Sequence, residues 1–308
     1  MRACVDVGGT KIAVSLSADS ASPLIGRRSQ PTSKTGNNDA VALQILLLID
    51  EVCAEQGIDA ASIDRVGVSS AGPFVLRDGL VELATPNICG GIAGPARGLP
   101  NNWMTALLEA PLRQCFAQVR VENDAVAALE AERTWGALKG SDHCAYVTWS
   151  TGVGVGLCVD GRILHGKNGN AGHAGHSFVV DDDNEAVCGC GNRGDVESLV
   201  AGNAIARRFG QSAEALFAAA GAGEPQALAT TAALCRAMGR MLYNLIATLD
   251  LERISLGGGV FWHNRKFLLP RLQAEIDGRL VAVTRGAVLV AAGLGDKVGD
   301  YGAMALLD

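Results

Sequence analysis

Val121-Glu122-Asn123-Asp124, running directly into Ala125-Val126-Ala127-Ala128-Leu129-Glu130-Ala131-Glu132, decides how the rest of the chain is read. A β-branched run ends in three polar residues, and a segment of good helix formers follows without a spacer, so the polar trio belongs at a strand-to-helix turn. In an open α/β sheet that is where ligands bind. Asn123 and Asp124 have two readings. They can cap the helix that follows, or Asp124 can be a carboxylate that accepts the proton of an attacking alcohol during phosphoryl transfer, with Asn123 orienting a hydroxyl beside it.

Three glycine-rich turns elsewhere favour the second reading. Asp6-Val7-Gly8-Gly9-Thr10-Lys11 ends a short apolar strand and turns into another, Ile12 to Leu16. Its bared backbone N–H groups suit phosphate oxygens, although a plain hairpin has the same residues. Ser150-Thr151-Gly152-Val153-Gly154-Val155-Gly156 follows the strand Ala145 to Trp149 and bares one face of a second hairpin. Arg253-Ile254-Ser255-Leu256 is a strand ending in Gly257-Gly258-Gly259. The first of these turns is not a Walker loop, since the chain has no GxxxxGK[ST], nor is it GxGxxG.

Composition narrows the class. At 308 residues, two domains are the expectation. Hydrophobic residues at 48% and charged residues at 19% describe a globular chain with a buried core, not a disordered one. A net charge of -6 without basic clusters argues against nucleic-acid binding. The longest aliphatic run, Ile45 to Ile49, is too short to span a bilayer, and with no export signal the expected location is the cytoplasm. Scattered cysteines (Cys4, Cys53, Cys115, Cys144, Cys158, Cys235) read as small core residues of a reducing compartment.

Other elements follow from spacing. Asp39 to Gln56 has apolar residues at helical intervals with Gly57 as its stop; Arg65 to Pro73 is a strand leaving through small residues; a loop then runs to Thr85-Pro86-Asn87, with Pro95 further on. Asn101 or Asn102 is placed as the cap of a helix starting near Trp103, itself a core or loop anchor. Asp160-Gly161 is a hairpin turn, and Asp181 to Asp183 a solvated run. Val196 to Phe209, Ala213 to Ala220 and Pro225 to Leu249 read as helices, and Gly299 to Leu307 as a final small-residue helix. Glu197 stands at a helix start, where it complements the dipole. His176, Cys188, Cys190 and Asp195 supply four zinc-type donors, the two cysteines alone being also readable as a free thiol pair.

Taken in order, Asp6 to Lys11, Gly72-Pro73, Pro86-Asn87, Glu122 to Ala125, Gly152 to Gly154, Ala171 to His176, Cys188 to Gly191, Glu197 and Gly257 to Gly259 resemble the ROK family (repressors, uncharacterised frames and sugar kinases), over nearly the whole chain. The resemblance implies a two-lobed, actin-like ATPase α/β fold of ribonuclease H-like type. That means duplicated βββαβα-type domains with an interdomain cleft: residues 1–120 as a smaller lobe, with a helix at 298–308 packing back on it, and 121–297 as a larger one. It implies an ATP-dependent hexose kinase, foremost a glucokinase, with N-acetylhexosamine kinase or fructokinase as alternatives. A non-catalytic sugar-responsive regulator is the reading from another class; Gly8 starts too early to leave room for a DNA-binding segment before it. Asp124 would be the general base on the 6-hydroxyl; Gly72, Asn87, Asn123, Asp124, His173, His176 and Glu197 would hold the hexose. ATP and Mg²⁺ would be held by Asp6, Gly8, Gly9, Thr10, Lys11, Thr151, Gly152, Gly154 and Gly257 to Gly259. A structural Zn²⁺ would sit on His176, Cys188, Cys190 and Asp195, and the protein would be a homodimer or homotetramer. Four positions depart from the family pattern: His173 stands where Glu is usual, Asp195 where a third cysteine is usual, and Val155 and Ser150 where a further glycine is common.

Overall fold

The computed structural model of the chain describes residues 1–19, 22–94, 97–180 and 186–308; Pro95 and the run Asp181 to Asp183 fall outside them. The described chain divides into two compact units. Unit 1 gathers residues Met1–Ala131, His165–Ala171 and Gly299–Asp308, and unit 2 gathers Glu132–Leu164 and Gly172–Val298.

Unit 1 contains β1 (Arg2–Val7), β2 (Lys11–Ser17), β3 (Ile25–Pro31), β4 (Arg65–Ser70), β5 (Phe74–Arg77), β6 (Leu80–Leu83), β7 (Ala106–Leu107) and β8 (Gln118–Asn123). Five of these form a sheet in the order β3-β2-β1-β4-β8. The two hairpin-linked pairs are antiparallel, whereas β1, β4 and β8 run parallel. Val7, Ser70 and Asn123 lie in one row across them. The helix Ala40–Gln56 buries Val41, Ile45, Leu48, Ile49 and Val52, the apolar set its sequence spacing predicts, and ends at Gly57 in the left-handed conformation.

Unit 2 repeats the plan. Its strands β9 (Cys144–Trp149), β10 (Val153–Val159), β11 (Arg162–Ile163), β12 (Arg253–Gly257) and β13 (Val288–Ala291) are ordered β11-β10-β9-β12-β13, with β9, β12 and β13 parallel. Two sheets with the same order and the same sense of pairing make this a duplicated α/β chain of the actin-like ATPase, ribonuclease H-like class. Apolar side chains of the strands and helices build one core in each sheet's unit, around Trp149, Phe217 and Phe261 in unit 2 and around Ile12, Ile45 and Leu108 in unit 1.

Several local expectations change. The segment after Pro73 is a hairpin of β5 and β6, not a loop; Asp78-Gly79 makes its turn with positive φ at both residues, the backbone an Asp-Gly pair favours. No helix starts at Trp103. Asn101 Oδ1 accepts from the N–H groups of Gly90 and Trp103, a local turn that competes with helix entry, and the helix begins at Glu109. Trp103 is buried and donates to Gly36 O at 3.2 Å, as an anchor should. The stretch 196–209 is two helices, Val196–Val200 and Gly202–Phe209, separated by extended Ala201. Cys115 is exposed, being the last residue of its helix, while Cys4, Cys53, Cys144, Cys158 and Cys235 are buried. Among the described residues no helix is long and apolar enough to cross a membrane.

Glu132, at the end of the Asp124–Thr134 helix, is fully buried. Its carboxylate accepts from the N–H groups of Ala137, Gly293 and Leu294, each at 2.9 Å, and from Ser255 Oγ at 3.1 Å. It thereby ties β12 to two loops. Glu132→Ala strands these buried donors and is expected to cost at least about 3 kcal/mol of unfolding free energy, read from urea midpoints.

Candidate functional site

Within unit 1 the parallel register carries the chemistry-bearing residues to one edge of the sheet. Asp6 precedes the end of β1, Gly72 follows β4, and Asp124 follows β8. Asn123 is buried and Asp124 exposed. Ala125 N–H donates to both Asn123 Oδ1 (3.0 Å) and Asp124 Oδ1 (2.8 Å), so the capping reading is realised, and the Asp124 carboxylate still faces solvent from the helix N-terminus.

The Gly8-Gly9-Thr10 turn closes through Gly8 N to Lys11 O at 2.9 Å, with Thr32 Oγ1 donating to Gly8 O at 2.7 Å. A Cβ on Gly9 would lie 2.6 Å from Asn87 Cβ, so this turn needs a glycine to let Asn87 approach. Asn87 in turn accepts from Arg97 Nη1. Burial pushes the Asp6 carboxyl up to about 6, and the nearby Asp124 and Asp300 carboxylates add to the shift while Lys11 and Arg27 oppose it. Asp300, from the final helix Val298–Ala305, was not singled out in the sequence, where nothing beyond a first-turn acid marks it.

His165 Nδ1 lies 3.3 Å from Glu122 Oε2, and Asn170 exchanges two hydrogen bonds with the backbone of Phe74, accepting at 2.8 Å and donating at 2.7 Å. These bonds hold the segment His165–Ala171 within unit 1. No sequence signal pointed to them, because each pairs residues far apart in the chain.

Unit 2 carries the other predicted residues: Thr151, Gly152, Gly154, His173, His176, Cys188, Cys190, Asp195, Glu197 and Gly257 to Gly259. Gly258 has φ +84 and, like Gly257, sits where a Cβ would strike β9 side chains or backbone. Gly259 has open space instead and begins the 19-residue helix Gly259–Asp277. That exposed N-terminus is suited to an anion. The His173 and His176 rings are stacked, 6.1 Å apart.

His176, Cys188, Cys190 and Asp195 converge, their donor atoms all within 4.8 Å of one another. His176 Nδ1 stands 3.1 Å from Asp195 Oδ2, 3.7 Å from Cys188 Sγ and 3.6 Å from Cys190 Sγ, and Cys190 Sγ is 3.7 Å from Asp195 Oδ2. Donors around a tetrahedral zinc stand about 3.3–3.8 Å apart, and the distances from sulfur to His176 and Asp195 fall in that range, so the donor types and their convergence suit that ion. Asp195 also caps the helix Val196–Val200, its Oδ1 accepting from Ser198 N–H at 2.8 Å. Burial pushes its carboxyl up, but hydrogen bonds from His176, Ser198 and Cys188 outweigh this and hold it at about 2.

A duplicated actin-like α/β chain with three glycine turns and an exposed acid at a strand-to-helix turn defines the class. The family model described as "ROK family" matches residues 2–308, and the chain belongs to the ROK family. The glucokinase of Aeropyrum pernix is 30% identical over 98% of this chain and 95% of its own length. An N-acetylmannosamine kinase of Salmonella typhimurium is 32% identical over 83% of this chain and 82% of its own. Among solved structures, a ROK family glucokinase from Streptomyces griseus in complex with glucose and AMPPNP aligns with a TM-score of 0.73, 26% identity, and coverage of 99% of this chain and 98% of that one.

An acid whose folded pKa lies above its unfolded value favours the fold while protonated. The stabilisation is complete below about 4, the unfolded value, and is lost as pH rises through about 6. Asp6→Asn, which mimics the protonated form, is therefore expected to stabilise the protein at pH 7.5 by roughly 1–3 kcal/mol, with the gain fading at pH 4, as measured by thermal or urea unfolding across that range.

Proposed function

We propose that this chain is an ATP-dependent hexose kinase, foremost a glucokinase, in which Asp124 takes the proton of the sugar 6-hydroxyl as that oxygen attacks the γ-phosphorus. The exposed Asp124 carboxylate, at the end of β8 and next to the buried Asn123, carries the reading. Its exposed place at a strand-to-helix turn suits a group that takes a proton from a bound hydroxyl. Asn123, Gly72, Asn87, His173, His176 and Glu197 are proposed to bind the sugar. The turns at Gly8-Gly9-Thr10-Lys11, Thr151-Gly152-Val153-Gly154 and Gly257-Gly258-Gly259 are proposed to bind the nucleotide through backbone N–H groups.

Asp6 is proposed to help place Mg²⁺, an ion that when bound neutralises charge on the β- and γ-phosphates. The carboxylates that raise the Asp6 pKa leave excess negative charge there, which a cation would relieve. A zinc ion on His176, Cys188, Cys190 and Asp195 would be structural. It would hold the ring of His176 by Nδ1 and leave Nε2 for another partner.

The preference for glucose is supported by the coverage of the relatives: the glucokinase aligns with 98% of this chain and the N-acetylmannosamine kinase with 83%. A coupled ADP-release assay over glucose, mannose, fructose, N-acetylglucosamine and N-acetylmannosamine tests it. The expected order puts glucose first in kcat/KM, and a higher value for an N-acetylated sugar overturns the preference. Asp124→Asn is expected to lower kcat by about 10²–10⁴-fold while hexose affinity, measured by calorimetry, changes little. Turnover near wild type in that variant overturns the assignment of the base.

A further inference from the structure

Glu197 has partners for both carboxylate oxygens inside unit 2. Oε2 accepts from the N–H of Val153, the first residue of β10, at 2.9 Å, and Oε1 lies 3.4 Å from Cys188 Sγ. A Cβ on Gly152 would stand 2.7 Å from Oε2, so this glycine is what lets the carboxylate reach the turn.

Two more hydrogen bonds join the same pieces. Trp149 Nε1 donates to Val200 O at 2.7 Å, and Gly202 N–H donates to Ser150 O at 2.8 Å. Trp149, Ser150 and Val153, which bracket the Thr151-Gly152 part of the second glycine turn, are thus held by the helix Val196–Val200 and the residues just after it. From the other side Gly175 lies against Val153 O, where a Cβ would come within 2.3 Å. The helix is only five residues long and cannot order itself; the packing of Val196, Leu199 and Val200 in the core of unit 2, together with what holds its ends, decides its position. Its N-terminal end is Asp195, whose one oxygen caps the helix and whose other faces His176.

We infer that Glu197 is a positioning residue that couples cation binding at His176, Cys188, Cys190 and Asp195 to phosphate binding at the Ser150-Thr151-Gly152 turn. The inference rests on reading that turn as part of the nucleotide site. A cation that draws the four donors together fixes Asp195, and with it the first turn of the helix that carries Glu197. Glu197 then fixes the Val153 N–H and the backbone of the turn before it. Order supplied by one ligand need not be supplied by the other, and linkage makes the effect reciprocal.

The test uses the full chain, either zinc-loaded or stripped with a chelator that is then removed by buffer exchange. AMP-PNP with Mg²⁺ is titrated by calorimetry without sugar, and zinc affinity is measured against a chromophoric chelator with and without AMP-PNP. Zinc loading is expected to tighten AMP-PNP binding by about 5–150-fold, and AMP-PNP to tighten zinc by the same factor. Glu197→Ala is expected to bring both factors close to one. Glu197→Gln, which keeps an acceptor for the Val153 N–H, is expected to retain most of the coupling.

Equal AMP-PNP affinity in zinc-loaded and stripped wild type overturns the coupling, whatever the variants do. Coupling that survives Glu197→Ala overturns the role of Glu197. Failure to bind AMP-PNP in either state overturns the nucleotide reading instead, so the two failures are distinguishable.

Discussion

The parallel backbone pairing of β1, β4 and β8, and its repeat in β9, β12 and β13, is the constraint on which the rest depends. Parallel strands end on one side of a sheet, so whatever follows each strand is delivered to a common edge. In unit 1 that edge receives Gly8, Gly72 and Asp124; in unit 2 it receives Ser150, Gly258 and Gly293. A one-residue slip of β1 would reverse every one of its side chains and move Asp6 to the opposite face. β1 is buried along nearly its whole length, as a strand covered on both faces of a parallel ladder is.

Upon that frame the two units solve different electrostatic problems. Unit 1 brings acids together and leaves one of them, Asp6, reluctant to ionise, an arrangement that stores unfavourable charge until a cation or a proton offsets it. Unit 2 spends its acids on backbone donors. Asp195 caps a helix, Glu197 holds the Val153 N–H, and Glu132 takes three N–H groups and a hydroxyl. Such carboxylates act as rigid connectors, and their neighbours must be small: the glycines at 136 and 152 sit where a Cβ would strike Glu132 or Glu197.

What the sequence made legible follows from local rules. The strand-to-helix turn at Asp124, the helix Pro225–Leu249 and the hairpin at Asp160-Gly161 all appear as read, because periodicity, N1 proline and turn residues act within a few positions. The four-donor cluster was legible from residue type alone. The β5–β6 hairpin was passed over although Asp78-Gly79 announces it, since each of its strands is only four residues long. The false helix at Trp103 came from treating Asn101 as a helix cap when its side chain serves a loop. Illegible in principle were Asp300 beside Asp6, the grip of Asn170 on Phe74, and the donors of Glu132 at Ser255, Gly293 and Leu294, all of which join residues distant in sequence.

Unit 1 is assembled from three separate stretches, and its last one is structural: the final helix presses so closely on β4 that a Cβ on Gly67 would meet Ala303 O at 2.1 Å, and one on Gly302 would meet Ala127 at 3.2 Å. On the ribosome, β1 to β8 therefore emerge long before the helix that covers β4. The nascent sheet has to wait with that face bare while all of unit 2 is synthesised, and a chaperone-dependent delay or premature association would act on this interval. For the same reason unit 1 does not correspond to a contiguous stretch of the chain.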